Sequence, residues 1–310
     1  MKRWGLFAAL LGTLLSTSVA SANTIFVTNA ASGIIGEYTT SGAAINASLI
    51  TGLSTPGSLT ISNSNLFVAV GGNTIGEYTA AGAPVNPALI TGLHNVHQIS
   101  SFGSNLFVAN GDPTNTIGEY TTAGATVNSA LISGLNVAHG VASNGANIFV
   151  LNNANGNPGT GFISEYTAAG SLVNASLITG LSSPEEILIS GSNIFVTNFV
   201  SGTVGEYTTS GSTVNAALIS GLNGPYGIAI DGTNLFVTNA LGSTVSEYTT
   251  SGVLVNAALI SGLSTPGGIA VLSTATPEPG SFGFLVIALA LGFLAHRHLS
   301  SRRAGHQTGN

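Results

Sequence analysis

The sequence has no cysteine, one tryptophan and one methionine among its 310 residues. Without cysteine there is no disulfide framework, no thiolate zinc site and no cysteine nucleophile. Charge is nearly as scarce. Charged residues make up 5%, where roughly 25% is usual for a soluble domain. Basic residues number five, and all lie at the ends: Lys2, Arg3, Arg297, Arg302 and Arg303. Residues 23–276 hold ten acids (Glu37, Glu77, Asp112, Glu119, Glu165, Glu185, Glu186, Glu206, Asp231 and Glu247) and no Lys or Arg, a formal charge of −10. Such a body cannot displace counterions from a nucleic-acid backbone, so nucleic acid is excluded as a partner. Phosphate clamps and lysine Schiff-base chemistry are excluded for the same reason.

What is present begins with the two ends. Residues 1–22 have the pattern of a secretory signal peptide. Lys2 and Arg3 form a positive start, Leu6 to Leu15 an apolar run, and Ala20-Ser21-Ala22 a small-x-small cleavage site. Signal peptidase is the expected partner, and the mature chain is expected to start at Asn23. At the other end, residues 274–310, three parts follow in order. Thr276-Pro277-Glu278-Pro279-Gly280 breaks any helix. An apolar membrane span covers about 281–295, and a basic tail carrying Arg297, Arg302 and Arg303 fills 296–310. The span is short against the roughly 17–25 residues of a full crossing. The basic tail is expected to stay cytoplasmic, which turns the body outward.

Between the ends lies an internal repeat, and a period near 40 decides the fold class. Glu-Tyr-Thr recurs at Glu37, Glu77, Glu119, Glu165, Glu206 and Glu247, with spacings of 40, 42, 46, 41 and 41. Asn-x-x-Leu-Ile begins at Asn46, Asn86, Asn128, Asn174, Asn215 and Asn256. A Phe-Val pair recurs with its Phe at Phe26, Phe67, Phe107, Phe149, Phe195 and Phe236. Each copy holds four short runs rich in β-branched and aromatic residues, separated by Gly, Ser, Asn or Pro. That pattern argues strands. Only the Asn-x-x-Leu-Ile run, taken alone, also suits a short helix. Four strands per copy and six copies predict an all-β, six-bladed β-propeller over residues 23–273. The body begins on a second strand at Thr24 and ends on a first strand, Pro266 to Val271. The C-terminal strand is therefore expected to join the N-terminal blade and close the ring.

Two resemblances rest on these residues. Pro277-Glu278-Pro279, the span and the arginine cluster resemble the PEP-CTERM sorting signal of Gram-negative bacteria. That resemblance implies recognition and cleavage by an exosortase, and a surface or extracellular destination in species that make exopolysaccharide. Pro225 to Asn239 resembles NHL-type propeller repeats and, more broadly, the streptogramin-lyase-like propellers. The chain departs from the NHL pattern with Asn29, Asn110, Asn152, Asn198 and Asn239 where Asp is common, and with Val70 in the second copy.

In near-identical repeats the exceptions carry information. The residue just before the apolar part of each first strand is Gly57, His97, His139, Glu185, Tyr226 and Gly267 in successive copies. A propeller's first strands line its channel, so His97, His139 and Glu185 are candidate ligands for a divalent metal (Ca, Mg, Mn or Zn) at the channel mouth. One histidine can instead serve as a general base, with Tyr226 as a donor; His97, His139 and Tyr226 are the catalytic candidates. The streptogramin-lyase resemblance implies the same kind of site. A wet, polar pore is the plainer account of these residues, since channel-mouth positions of propellers are commonly polar. The six symmetric Glu of Glu-Tyr-Thr suit a structural role on backbone N–H groups or Thr hydroxyls better than calcium ligation, which needs more oxygens than each copy supplies. The repeated Phe and Tyr suit packing between blades. The Asp112-Pro113 loop and the longer Asn152–Gly161 loop are insertions and candidate recognition edges. The sequence favours an exported binding or structural module of the envelope or exopolysaccharide matrix, with exopolysaccharide or another surface protein as partner. The alternative is a metal-dependent lyase or hydrolase.

Overall fold

The computed structural model describes residues 23–273, so both terminal signals lie outside the described residues. These residues form six four-stranded antiparallel sheets, the blades of a six-bladed β-propeller. The strands of blade 2, from the channel outward, are Leu59–Ser62, Asn65–Val70, Thr74–Thr79 and Pro84–Thr91. Blades 3, 4, 5 and 6 follow the same order, with inner strands Val96–Phe102, Ala138–Ser143, Pro184–Ser190 and Pro225–Asp231. Blade 1 is composite, as the chain order requires. Its inner strand Pro266–Leu272 pairs with Thr24–Asn29, which continues to Ile34–Thr39 and Ala44–Ile50. Each inner strand contacts those of both neighbouring blades, so the ring is closed. The outer run is strand in all six blades. Its alternative as a short helix fails because the run has no buried stripe. Its residues are exposed on both faces until the final Leu-Ile reaches the sheet below.

The core consists of six clusters, one between each pair of blades. In each, a Phe on the second strand of one blade meets aliphatic residues and a Tyr of the next. Phe26 packs with Leu66, Val68 and Tyr78, and Phe195 with Leu235, Val237 and Tyr248. Phe26 and Phe149 have no exposed surface. Burying one such ring is worth about 2–3 kcal/mol. The Glu of Glu-Tyr-Thr is structural, and in five blades its side-chain partner is an asparagine. In blades 2 to 6 it accepts from the amide of the Asn that opens the second strand, at 2.6–2.8 Å. The two residues lie diagonally across the strand pair, where such side chains meet.

The outer strands are free sheet edges, the usual site of unwanted strand pairing. Lysine commonly guards such edges, and this body has none. Here a bulge interrupts each ladder, and the repeated Asn stabilises it. Its Oδ1 accepts the backbone N–H two residues on, at 3.0–3.2 Å, in all six blades. One glycine per blade is also dictated by contact. Gly42 has φ of +85°, and a Cβ there would lie 2.2 Å from the carbonyl oxygen of Leu259 in the preceding blade. Chain entry and exit are tied together. The Asn23 amide donates to both carboxylate oxygens of Asp231 at 2.9 and 2.8 Å, and Ser273 Oγ lies 3.4 Å from the first of them.

Candidate functional site

The channel mouth is built from bulges. In blades 3, 5, 6 and 1 two inner-strand residues stand opposite one residue of the second strand. His97-Gln98 face Ala109, Glu185-Glu186 face Thr197, Tyr226-Gly227 face Thr238, and Gly267-Gly268 face Thr28. Blade 4 is irregular at the same place, between Ala138 and Gly140. Bulges re-aim side chains, and here they turn one residue to the mouth and the next into the channel. The six positions read from the sequence thus share one register.

Three blades close the bulge with threonine. Thr238 Oγ1 accepts from Gly227 N–H at 2.7 Å and donates to the Gly267 carbonyl of the next blade at 2.7 Å. Thr197 does the same between Glu186 N–H and the Tyr226 carbonyl, and Thr28 donates to Gly57. The other three blades carry Ala69, Ala109 and Leu151 in this place. These precede the blades whose mouth residues are His97, His139 and Glu185. The half of the ring that lacks the hydroxyl tie is the half that carries the imidazoles and the carboxylate. The sequence shows this break as Val-Thr-Asn in copies one, five and six against Val-Ala or Val-Leu in the others, a signal passed over above.

The structure brings His97, His139 and Glu185 together. The two rings stack, with centroids 3.8 Å apart and planes inclined by 19°. With its proton on Nδ1, His139 donates to Glu185 Oε2 at 3.2 Å, and the side chains are only 12% and 11% exposed. The Asn153 amide lies 3.1 Å from Nδ1 and 3.3 Å from Nε2, and in this tautomer Nε2 is the one that accepts from it. His97 Nε2 lies 3.0 Å from the Asn95 amide. Burial pulls His97 down to about 3; His139 beside it adds to that, and Asp112 partly opposes it. His97 is therefore neutral throughout the physiological range. Burial pushes the Tyr226 phenol up, reinforced by Glu185 and Glu186, so it stays a donor.

Both insertions reach this cluster. The loop through Asp112-Pro113 brings Gly111 against His97, where a Cβ would lie 2.8 Å from ring atoms. The Asn152–Gly161 insertion supplies Asn153, buried to 3% exposure. Asn95 and Asn153 were not anticipated, because their relevance depends on where the loops land. Three ligands for a metal ion do not assemble here. Stacked rings keep their in-plane lone pairs side by side rather than aimed at one point, and His139 Nδ1 is engaged by Glu185. Among the described residues no group of three or more His, Asp or Glu is arranged to hold a metal ion.

No family model matches the chain, and no curated protein does. Solved structures do. A chain of a nidogen/laminin complex aligns with a TM-score of 0.66 at 13% identity, covering 81% of this chain and 98% of that one. A protein of unknown function from Desulfotomaculum acetoxidans aligns with a TM-score of 0.57 at 17% identity, covering 81% and 85%. A streptogramin B lyase aligns with a TM-score of 0.49 at 18% identity, covering 73% and 71%, too distant to bear on activity. These likenesses show the β-propeller fold alone.

Proposed function

We propose that the protein is an exported propeller of the cell surface or extracellular matrix that binds a neutral saccharide at its imidazole mouth. One observation carries this reading: the mouth is asymmetric in an otherwise repetitive ring. A pore that only needed wetting would keep the repeat. Here four adjacent blades, with His97, His139, Glu185 and Tyr226, depart from the glycine of the other two, and both insertions converge on the histidine side. The groups presented are His97, His139, Glu185, Tyr226, Asn95 and Asn153. They suit hydroxyl-rich ligands, since they offer donors and acceptors without a cation. The body's charge of −10 disfavours an anionic polysaccharide.

Export and exosortase sorting rest on the terminal segments of the sequence. Signal peptidase would act after Ala22, and the exosortase near Pro277-Glu278-Pro279. The span would hold the precursor in the membrane until then. Mass spectrometry of the mature protein from its own cells tests this part. A chain starting at Asn23 and ending close to the Pro-Glu-Pro motif supports it, and intact ends refute it.

Saccharide binding is tested by affinity electrophoresis of the full chain in neutral and in anionic polysaccharides. Retardation by a neutral polymer, lost in Glu185→Gln and His139→Ala, supports the reading. No retardation, or retardation indifferent to both substitutions, overturns it. The His139–Glu185 pair favours a second reading, a lyase or hydrolase in which the carboxylate orients His139 as general base. Shortening of the bound polymer, abolished by His139→Ala, would select it.

A further inference from the structure

Behind the mouth, the channel widens into a cavity of about 250 Å³. All six inner strands line it through their later residues, from Leu59–Ile61 round to Ile269–Val271. None of the six mouth residues does. Its inner end is formed by Gln98 and Glu186, and its outer part by Ile61, Ile189, Ile230 and Val271. The cavity is therefore separate from the site proposed above and opens toward the other end of the inner strands.

Gln98 and Glu186 tie the inner strands. Gln98 Oε1 accepts from Val141 N–H at 3.1 Å and from Ile187 N–H at 3.3 Å, and its amide donates to the Ile187 carbonyl at 2.9 Å. Glu186 Oε2 accepts from Ile228 N–H at 3.3 Å, and Oε1 lies 3.5 Å from the Gln98 amide. The tie accounts for all of Gln98 and gives each Glu186 oxygen an N–H to accept from. Burial pushes its carboxyl up to about 8, so at neutral pH the group carries its proton. Gln98 Oε1 already accepts twice, so it has no acceptor left to give that proton. A few residues along the same channel, Ser100 Oγ is buried and without a hydrogen-bond partner. A carboxyl and an unpartnered hydroxyl thus line one cavity, and a buried donor left unmade is costly.

We propose that this cavity is a binding site for a small neutral molecule with a hydrogen-bond acceptor at one end and an aliphatic body. The acceptor would take the Glu186 O–H or the Ser100 hydroxyl, and the body would lie along Ile61, Ile189 and Ile230. The size is that of roughly eight water molecules at about 30 Å³ each, hence about eight non-hydrogen atoms. A cation is disfavoured because the cavity offers it a single buried carboxyl, in neutral form.

The test uses the full chain and 2-heptanone as probe, with heptylammonium as the charged comparison, by calorimetry and ligand-observed NMR. Saturable 2-heptanone binding is expected. It should weaken about tenfold in Glu186→Met, stay within about threefold in Glu186→Gln, which keeps a donor, and vanish in Ala270→Leu, which fills the rim. Circular dichroism confirms that each variant is folded. No saturable binding, meaning that the cavity holds water only, overturns the proposal. So does binding indifferent to Ala270→Leu, or tighter binding of heptylammonium than of the ketone.

Discussion

Glu186 makes a quantitative prediction about stability. Its folded carboxyl titrates near 8 against an ordinary 4.5, because burial penalises the charged form more than the Ile228 N–H supports it. From about pH 4.5 upward the unfolded chain releases this proton while the folded chain keeps it. The unfolded state then binds fewer protons, so stability falls as pH rises through that window and levels off above 8. Each unit is worth about 1.4 kcal/mol, which sets a ceiling on the order of 4–5 kcal/mol. Water reaching the channel relaxes part of the penalty, and about 2 kcal/mol is the expected loss between pH 5 and pH 8. Glu186→Gln keeps the shape and the acceptor for Ile228 but cannot ionise. The variant should match the parent at pH 4.5 and exceed it by about 2 kcal/mol at pH 8, or roughly 4–8 °C in Tm. Denaturant melts of both proteins at pH 4.5, 6 and 8 measure the difference, in which every other titrating group cancels. A difference that does not change with pH, or that favours the parent at pH 8, refutes the reasoning.

His97 titrates in the opposite sense. Its folded value near 3 means that the unfolded chain takes up a proton below about 6.5 while the folded one does not, so acid destabilises the parent. His97→Gln should move the acid-unfolding midpoint, followed by circular dichroism, to lower pH. Thr238→Val removes a buried hydroxyl bonded on both sides at 2.7 Å and should cost about 2–3 kcal/mol in urea melts, a loss that Thr238→Ser, which keeps the hydroxyl, should largely avoid. Gly42→Ala places a Cβ against the Leu259 carbonyl at positive φ and should cost about 2–4 kcal/mol, visible as a lowered Tm.

The fold was legible because each blade repeats its own instructions. Glu-Tyr-Thr, Asn-x-x-Leu-Ile and the Phe-Val pair mark the strands, and the order of the first and last strands announces the closure. The mouth was legible as a register position, since His97, His139 and Glu185 interrupt a repeat. Their mutual geometry was not. Whether two imidazoles converge on a point or stack depends on how bulges tilt them, and residue spacing does not encode that tilt. Glu186 was hidden for a related reason. It is the second residue of a bulge, where strand alternation no longer says which way a side chain points. The Asn partner of the repeated Glu in blades 2 to 6 was missed because it lies on the previous strand, on the diagonal rather than directly opposite.

The knot of Asn23, Ser273 and Asp231 has a consequence for orientation. Asp231 and Leu272 finish inner strands whose other ends carry Tyr226 and Gly267, and Thr24 pairs with Leu272. Both ends of the propeller therefore lie at the far pole from the stacked imidazoles. A bead, a fusion partner or a wall attached through either end of the propeller meets that pole, and the opposite one is left facing outward.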